Sequence, residues 1–311
     1  MSVLAFRLRH GSDVRRMSMT ANPSTTPDPE HPIRRIAVLG SGLLGGSIAL
    51  AIQKHAPHCQ VSLWGRREDS ILQAAEAGIL AATTDLSIAI EGADLIILSS
   101  PVGAMLEILQ AAADQASLAG KLVTDVGSVK LTPRDTLGDL VSACGARYLG
   151  SHPMAGSEQT GVAAASADLF QQAACVLTND FNHPQADLLA LNQFWQSIGC
   201  HCHVTTSEEH DQVMARISHL PHILASVGAL VGLKQPSNGE FAGNGMRDTT
   251  RVASGAPDMW AEILLRNRAA LKTPIEESIG HLREILAFLE QSSDEALAQL
   301  LDDAKQLRDQ I

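Results

Sequence analysis

The sequence predicts an α/β chain, a doubly wound parallel sheet followed by an all-helical part, and three observations carry that prediction. An apolar run, a glycine-rich turn and a good helix follow one another around residue 40. Strand-like runs then recur with helix-like stretches between most of them, the pattern of a sheet covered by helices. From Ser207 onward the apolar residues fall at spacings of three or four, which is helical.

With 311 residues the chain is long enough for two domains of ordinary size. Its formal net charge of -11 argues against a sequence-independent grip on nucleic acid or an anionic membrane, so an anionic substrate has to be held by a few placed arginines. Five cysteines in no repeated spacing suit reduced thiols in a cytoplasmic protein, and no disulfide is expected. Residues 1–32 carry Arg7, Arg9, Arg15 and Arg16 without the apolar core of a secretory signal or a spanning segment. They read as a disordered extension, rich in Pro, Ser and Thr from Ala21 on, and Met17 or Met19 is an alternative start.

The first strand is Arg34-Arg-Ile-Ala-Val-Leu-Gly40, and the helix continues through Ser47-Ile-Ala-Leu-Ala-Ile-Gln53. Between them, Gly40-Ser41-Gly42-Leu43-Leu44-Gly45 matches G-x-G-x-x-G. The first glycine permits the turn, the second admits a pyrophosphate to the backbone, and the third lets helix and strand pack closely. An ordinary glycine-rich turn is the bland alternative, but the strand and helix on either side favour a Rossmann-type dinucleotide site over residues 33–206.

The second strand, Gln60 to Trp64, ends in Gly65-Arg66-Arg67, where an NAD enzyme would place an acidic residue for the ribose hydroxyls. Glycine leaves space and two guanidiniums supply bidentate donors, which fits the 2'-phosphate of NADP, although a solvated surface pair reads the same way. Further strands are expected at Asp94 to Ser99, Lys121 to Asp125, Arg147 to Gly150, Ala174 to Thr178 and His201 to Thr205. Ligands bind such sheets at the carboxyl ends of the strands. Ser99-Ser100-Pro101 and Asp125-Val-Gly127-Ser128-Val-Lys130 are therefore candidate cofactor contacts. The next such segment, within Gly150-Ser-His152-Pro-Met-Ala-Gly-Ser-Glu158, presents a histidine between glycines and a proline, as a loop presents a base.

Residues 207–311 form the expected helical domain. Its first helix begins an amphipathic run with Val213, Ile217, Leu220, Leu224 and Val227 and is kinked at Pro221 within Ser218-His219-Leu-Pro-His222. The two histidines share a face; metal ligation, core or capping roles, and the wall of a substrate pocket all remain open, although no carboxylate or cysteine completes a zinc set. Arg247 and Arg251 stand at i, i+4, so both could face one anion, or either could pair with Asp248 at the surface. Ile263, Leu264, Leu271, Ile275, Ile279, Leu282, Ile285 and Leu289 exceed what a small helical domain needs, and a homodimer uses the excess. Cys200-His-Cys-His203 is not expected to hold a metal, because a strand sends its cysteines and histidines to opposite faces.

In these pieces, taken in order from about Ile33 to about Leu289, the chain resembles the prephenate and arogenate dehydrogenases, the TyrA family of tyrosine biosynthesis. The resemblance implies a Rossmann domain, a dimerising helical domain, a nicotinamide cofactor and oxidative decarboxylation of a cyclohexadienol, either prephenate or arogenate. It implies that His152 takes the proton of the ring 4-hydroxyl, that Ser128 orients the imidazole or the hydroxyl, and that Arg251 holds the ring carboxylate. His222 would line the side-chain end of the pocket, with His219, Arg247, Asp248 and Trp260 as further pocket or dimer-edge residues. Asp211 or Asp248 would be placed to sense the ammonium of arogenate. Gly65-Arg66-Arg67 departs from the NAD-preferring members, and the chain shows no room for an appended regulatory or mutase domain. A two-domain dehydrogenase of the 3-hydroxyacid or imine-reducing type would need a catalytic lysine, for which only Lys234 and Lys272 stand between Ser207 and Leu300. A nonenzymatic NADP-sensing protein would not need Ser128, His152 and Arg251 together.

Overall fold

The computed structural model describes residues 33–156 and 159–311. The expected disordered extension, the alternative starts, and Ser157 and Glu158 of the histidine segment lie outside the described residues. The chain divides into two compact units, one closing at Asp211 and the other running Gln212–Ile311.

The first unit opens with β1 (Arg35–Leu39), α1 (Leu43–His55), β2 (Gln60–Trp64), α2 (Glu68–Glu76), β3 (Ala82–Thr83) and α3 (Leu86–Ile90). It continues with β4 (Leu95–Leu98), α4 (Val102–Gln115), β5 (Leu122–Asp125), α5 (Leu131–Ala143) and β6 (Arg147–Tyr148). These six strands form a wholly parallel sheet in the order β3-β2-β1-β4-β5-β6. Ile36 and Val38 of β1 with Leu95 and Ile97 of β4 join one apolar cluster; Ala37, Leu39, Ile96 and Leu98 join another. Alternate residues thus bury against opposite helical layers, which is why these strands read as continuous apolar runs. The chain leaves β1 in one direction and returns to β4 on its other side, so the crevice between their carboxyl ends is the switch point where such sheets bind ligands.

The remaining strands correct the expectation of one sheet. Arg147 and Tyr148 pair with β5, but Gly150–Pro153 (β7) turns away and pairs antiparallel with β8 (Ala174–Thr178). After α6 (Gln185–Ser197), β9 (His201–Thr205) pairs parallel with β8 to complete a separate three-stranded sheet. His152 therefore lies within a strand, opposite Val176, and not in a loop. Pro153, which has no N–H to give, is tolerated because β7 is an edge strand.

The helix α7 (Ser207–Met214) passes through a π-helical turn, Ala215–His219, into α8 (Leu220–Gly232). The wide turn stands just before Pro221, where the missing N–H and the ring would break a regular ladder. By length and composition the continuous helix Ser207–Gly232 could cross a membrane, with 28% of its most apolar window buried within the protein. The amphipathic run lies outward, with Val213, Ile217, Leu224 and Val227 exposed, and the buried face carries Met214, Ala215, His219, His222 and Ala225. The second unit is completed by α9 (Asn244–Thr250), α10 (Pro257–Arg266), α11 (Arg268–Glu290) and α12 (Asp294–Arg308).

Candidate active site

The glycine-rich turn is built as its sequence requires. Gly40 has φ +135, and a Cβ there would lie 2.6 Å from the Ser99 carbonyl oxygen. A Cβ on Gly45 would come within 1.8 Å of the Gly40 carbonyl oxygen, so only glycine lets α1 pack against the end of β1. Beside Gly42 there is open space, with no atom within 4 Å of an added Cβ. No side chain caps the N-terminus of α1, which begins at Leu43 and Leu44, so its first-turn N–H groups are available to an anion. Across the crevice Ser99 Oγ donates to the Gly40 carbonyl (2.9 Å), and Ser100 Oγ is buried with no hydrogen-bond partner among the described residues. Pro101 then opens α4. A cleared approach, a bare helix N-terminus and an orphaned hydroxyl together fit a dinucleotide.

At the end of β2, a Cβ on Gly65 would meet Ser41 Oγ at 2.2 Å, so the glycine makes room for Ser41 of the glycine-rich turn. Arg66 is exposed and 3.7 Å from Glu107, and Arg67 is exposed at the start of α2.

Asp125 is a second correction. Its side chain is fully buried: Oδ1 takes the Lys130 ammonium and the Gly127 N–H (2.7 Å), and Oδ2 takes the Tyr148 hydroxyl (2.6 Å). It organises the turn between β5 and α5, and its side chain presents no surface to a cofactor. Gly127 is confined between Asp125 and Val102, each 2.9 Å from an added Cβ. Ser128, half-buried on the same turn, is not what holds the imidazole's Nδ1.

That holding is done from several elements at once. Buried Ser151, next to His152, receives Lys130 Nζ on its carbonyl (2.6 Å) and Trp195 Nε1 on its hydroxyl (3.0 Å), and the hydroxyl also meets Thr124 Oγ1 (2.7 Å). The strand carrying His152 is thus fastened beside the carboxyl end of β5. His152 Nδ1 is 2.8 Å from His210 Nε2, and His210 Nδ1 is 2.7 Å from Asp211 Oδ1. Burial pushes the His210 imidazole below its ordinary pKa, against the opposing pull of Asp211. Asp211 is itself 1% exposed and caps α5 through the N–H groups of Lys130 and Leu131, so it is not a sensor of substrate ammonium.

In the second unit, His222 stacks on Trp260 with ring centroids 3.6 Å apart and planes at 9°, and His219 meets the same ring edge-on. Gly255 makes this possible, since a Cβ there would lie 2.3 Å from Trp260 Nε1. Asn267 Nδ2 is 3.0 Å from His219 Nδ1 and donates to it, and burial lowers the pKa of His222. The two histidines and the tryptophan are therefore one cluster. Arg247 donates to the Ala242 carbonyl (3.3 Å). The α-helix ends at Thr250 and Arg251 begins a 3-10 turn, so the expected shared α-helical face is interrupted there. Asp248 is exposed and, among the described residues, forms no ion pair with either arginine. His201 and His203 are exposed while Cys200 is buried and Cys202 partly so, the alternation expected of a strand; all five thiols are free.

Sequence reading missed Lys130, Tyr148, Ser151, Trp195 and His210. The available signal was the polar pair His210-Asp211, one turn before Met214 on the buried side of α7. Asp125 and Lys130, five residues apart across a glycine turn, were a second.

The prephenate dehydrogenase nucleotide-binding domain model matches residues 48–204, and the prephenate dehydrogenase dimerization domain model matches 206–303. The prephenate dehydrogenase of Lactococcus lactis is 33% identical over 282 residues, covering 89% of this chain and 77% of that protein. The cyclohexadienyl dehydrogenase of Zymomonas mobilis is 33% identical over 280 residues, covering 88% and 94%. The crystal structure of prephenate dehydrogenase from A. aeolicus, in complex with hydroxyphenyl propionate and NAD+, superposes with a TM-score of 0.80 at 28% identity, over 89% of this chain and 98% of that one. This chain belongs to the prephenate dehydrogenase family.

Proposed function

We propose that this protein oxidatively decarboxylates arogenate or prephenate, giving tyrosine or 4-hydroxyphenylpyruvate, with His152 as the base. It is an NAD(P)-dependent dehydrogenase of tyrosine biosynthesis by family. The observation that carries the base assignment is the fastening of His152 beside the carboxyl end of β5, with its Nδ1 already engaged by His210.

The chain's own groups account for each task. Gly40, Gly42, Gly45 and the first turn of α1 would hold the pyrophosphate, with Ser99, Ser100 and Pro101 at the opposite wall of the crevice. The nicotinamide, when bound, supplies a two-electron hydride acceptor. His152 takes the hydroxyl proton as the C4 hydrogen leaves with its electron pair, and returns it to the phenolic oxygen as the C1 carboxylate leaves as carbon dioxide. Ser128 would orient the substrate hydroxyl, since the imidazole is oriented by His210. Arg251 would hold the ring carboxylate, and the His222–Trp260 stack would face the substrate side chain, with His219, Arg247 and Asp248 supporting.

The cofactor reading favours NADP, supported by the exposed Arg66 and Arg67 and the lack of an acid at the end of β2. A homodimer is supported by the exposed Leu224, Val227, Leu230, Val231, Leu282, Leu286 and Leu289. The test is cofactor reduction, followed spectroscopically, with prephenate and arogenate each under NADP and NAD. Turnover with one of the ring acids is expected, faster with NADP; no reduction in any of the four combinations removes the assignment.

A further inference from the structure

We propose that His210 and Asp211 are positioning residues that fix the tautomer of His152, placing its proton on Nδ1 and leaving Nε2 unprotonated to act as the base. This rests on the reading of His152 as the base and adds how that base is set.

Asp211 accepts the Lys130 N–H through Oδ1 (2.7 Å) and the Leu131 N–H through Oδ2 (3.1 Å). Both oxygens already face donors that cannot be turned around, so the carboxylate is an acceptor only. His210 Nδ1, 2.7 Å from the same Oδ1, must donate. Four charged or titratable groups face His210: Asp211 beside it, Lys130 and Asp125 from the turn after β5, and His152 from β7. The Lys130 ammonium opposes a second buried cation here, and burial favours the neutral ring. A neutral imidazole that donates from Nδ1 has a lone pair on Nε2, which lies 2.8 Å from His152 Nδ1. His152 therefore donates from Nδ1, and the proton-accepting nitrogen is Nε2. With the reverse tautomer of either ring, two lone pairs or two N–H groups would confront one another. The same logic, a carboxylate fixing an imidazole through one nitrogen so that the other can accept a proton, operates in serine proteases with one histidine instead of two.

The variants H210L and H210Q separate positioning from packing. Leucine cannot accept from His152, whereas glutamine can accept through Oε1 and donate to Asp211 through Nε2. The proposal expects H210L to lower kcat by about 10-fold or more, with an upper bound near the roughly 10⁴-fold cost of a wrong tautomer, and to shift the acid limb of the kcat pH profile. KM and cofactor affinity should stay within about 2-fold. H210Q should regain at least about 10-fold over H210L. A kcat for H210L within about 2-fold of wild type, or an H210Q no faster than H210L, overturns the proposal. Ring ¹⁵N NMR of the wild-type protein tests it without relying on either variant's fold: His152, identified by its loss in H152N, should show a protonated Nδ1 and an unprotonated Nε2, and the opposite pattern overturns it. Should H152N turn over normally, the base assignment itself fails. Should H152N be inactive and H210L unimpaired, only the relay fails.

Discussion

The glycine-rich turn and the strand that carries His152 serve the same edge of the first unit, yet they are built in opposite ways. At the turn, function comes from atoms that are missing: a Cβ on Gly45 would collide with backbone at 1.8 Å, while one on Gly42 would meet nothing. At His152, the proposed function comes from polar side chains that are present and buried, drawn from β5, the turn before α5, α6, β7 and α7. The first kind of site is intolerant of addition and the second of deletion. A substitution at each should therefore fail for a different physical reason.

The largest effect is expected on the deletion side. Lys130→Met removes the cation paired with the fully buried Asp125 and releases the Ser151 carbonyl. Removing one partner of a buried pair costs about 3–5 kcal/mol. Denaturant unfolding should show a loss of that order, together with a fall in kcat as β7 loosens. On the addition side, Gly45→Ala must move backbone, and we expect a loss near the roughly 3 kcal/mol upper end for overpacking. Gly42→Ala sharpens the comparison. It should leave the melting temperature close to wild type while weakening cofactor binding measured by fluorescence titration, and equal destabilisation by the two alanines would contradict the separate roles given to these glycines.

The smallest effect concerns pH. His210 has a folded pKa depressed by burial, so the unfolded chain binds the proton first as pH falls. Its contribution to stability is complete above the ordinary histidine pKa near about 6.5 and is lost progressively below it. Thermal melts of wild type should decline as pH is lowered from neutral into that range, and H210Q should decline less. An identical decline in the two proteins would show that His210 does not titrate as its burial requires.

How far the sequence could be read follows from whether each feature is local. β1, β2, β4 and β5 are apolar runs whose character survives in any neighbourhood, and the glycines of the turn sit within six residues of one another. β7 was read as a loop because Gly-Ser-His-Pro has little strand tendency of its own; pairing with β8 makes it a strand. Asp125 is a candidate cofactor contact by sequence because its segment follows the carboxyl end of a strand; Lys130, Tyr148 and the Gly127 N–H occupy its side chain. Along α7 and α8, period alone tells which residues share a face but not what covers that face. The run of Val213, Ile217, Leu224 and Val227 is exposed, while the protomer buries the histidine side.

By itself, then, the sequence determined the strand–turn–helix nucleotide motif, the helical second half and the identity of the titratable group proposed as the base. Only tertiary structure decided how that group is held, because His152 and His210 are 58 residues apart and Lys130 and Asp211 are 81 apart. Local pattern reports backbone preference and burial period. Which donor meets which acceptor, and therefore which nitrogen of His152 is left unprotonated, depends on geometry that exists only once β5, β7 and α7 have been brought together.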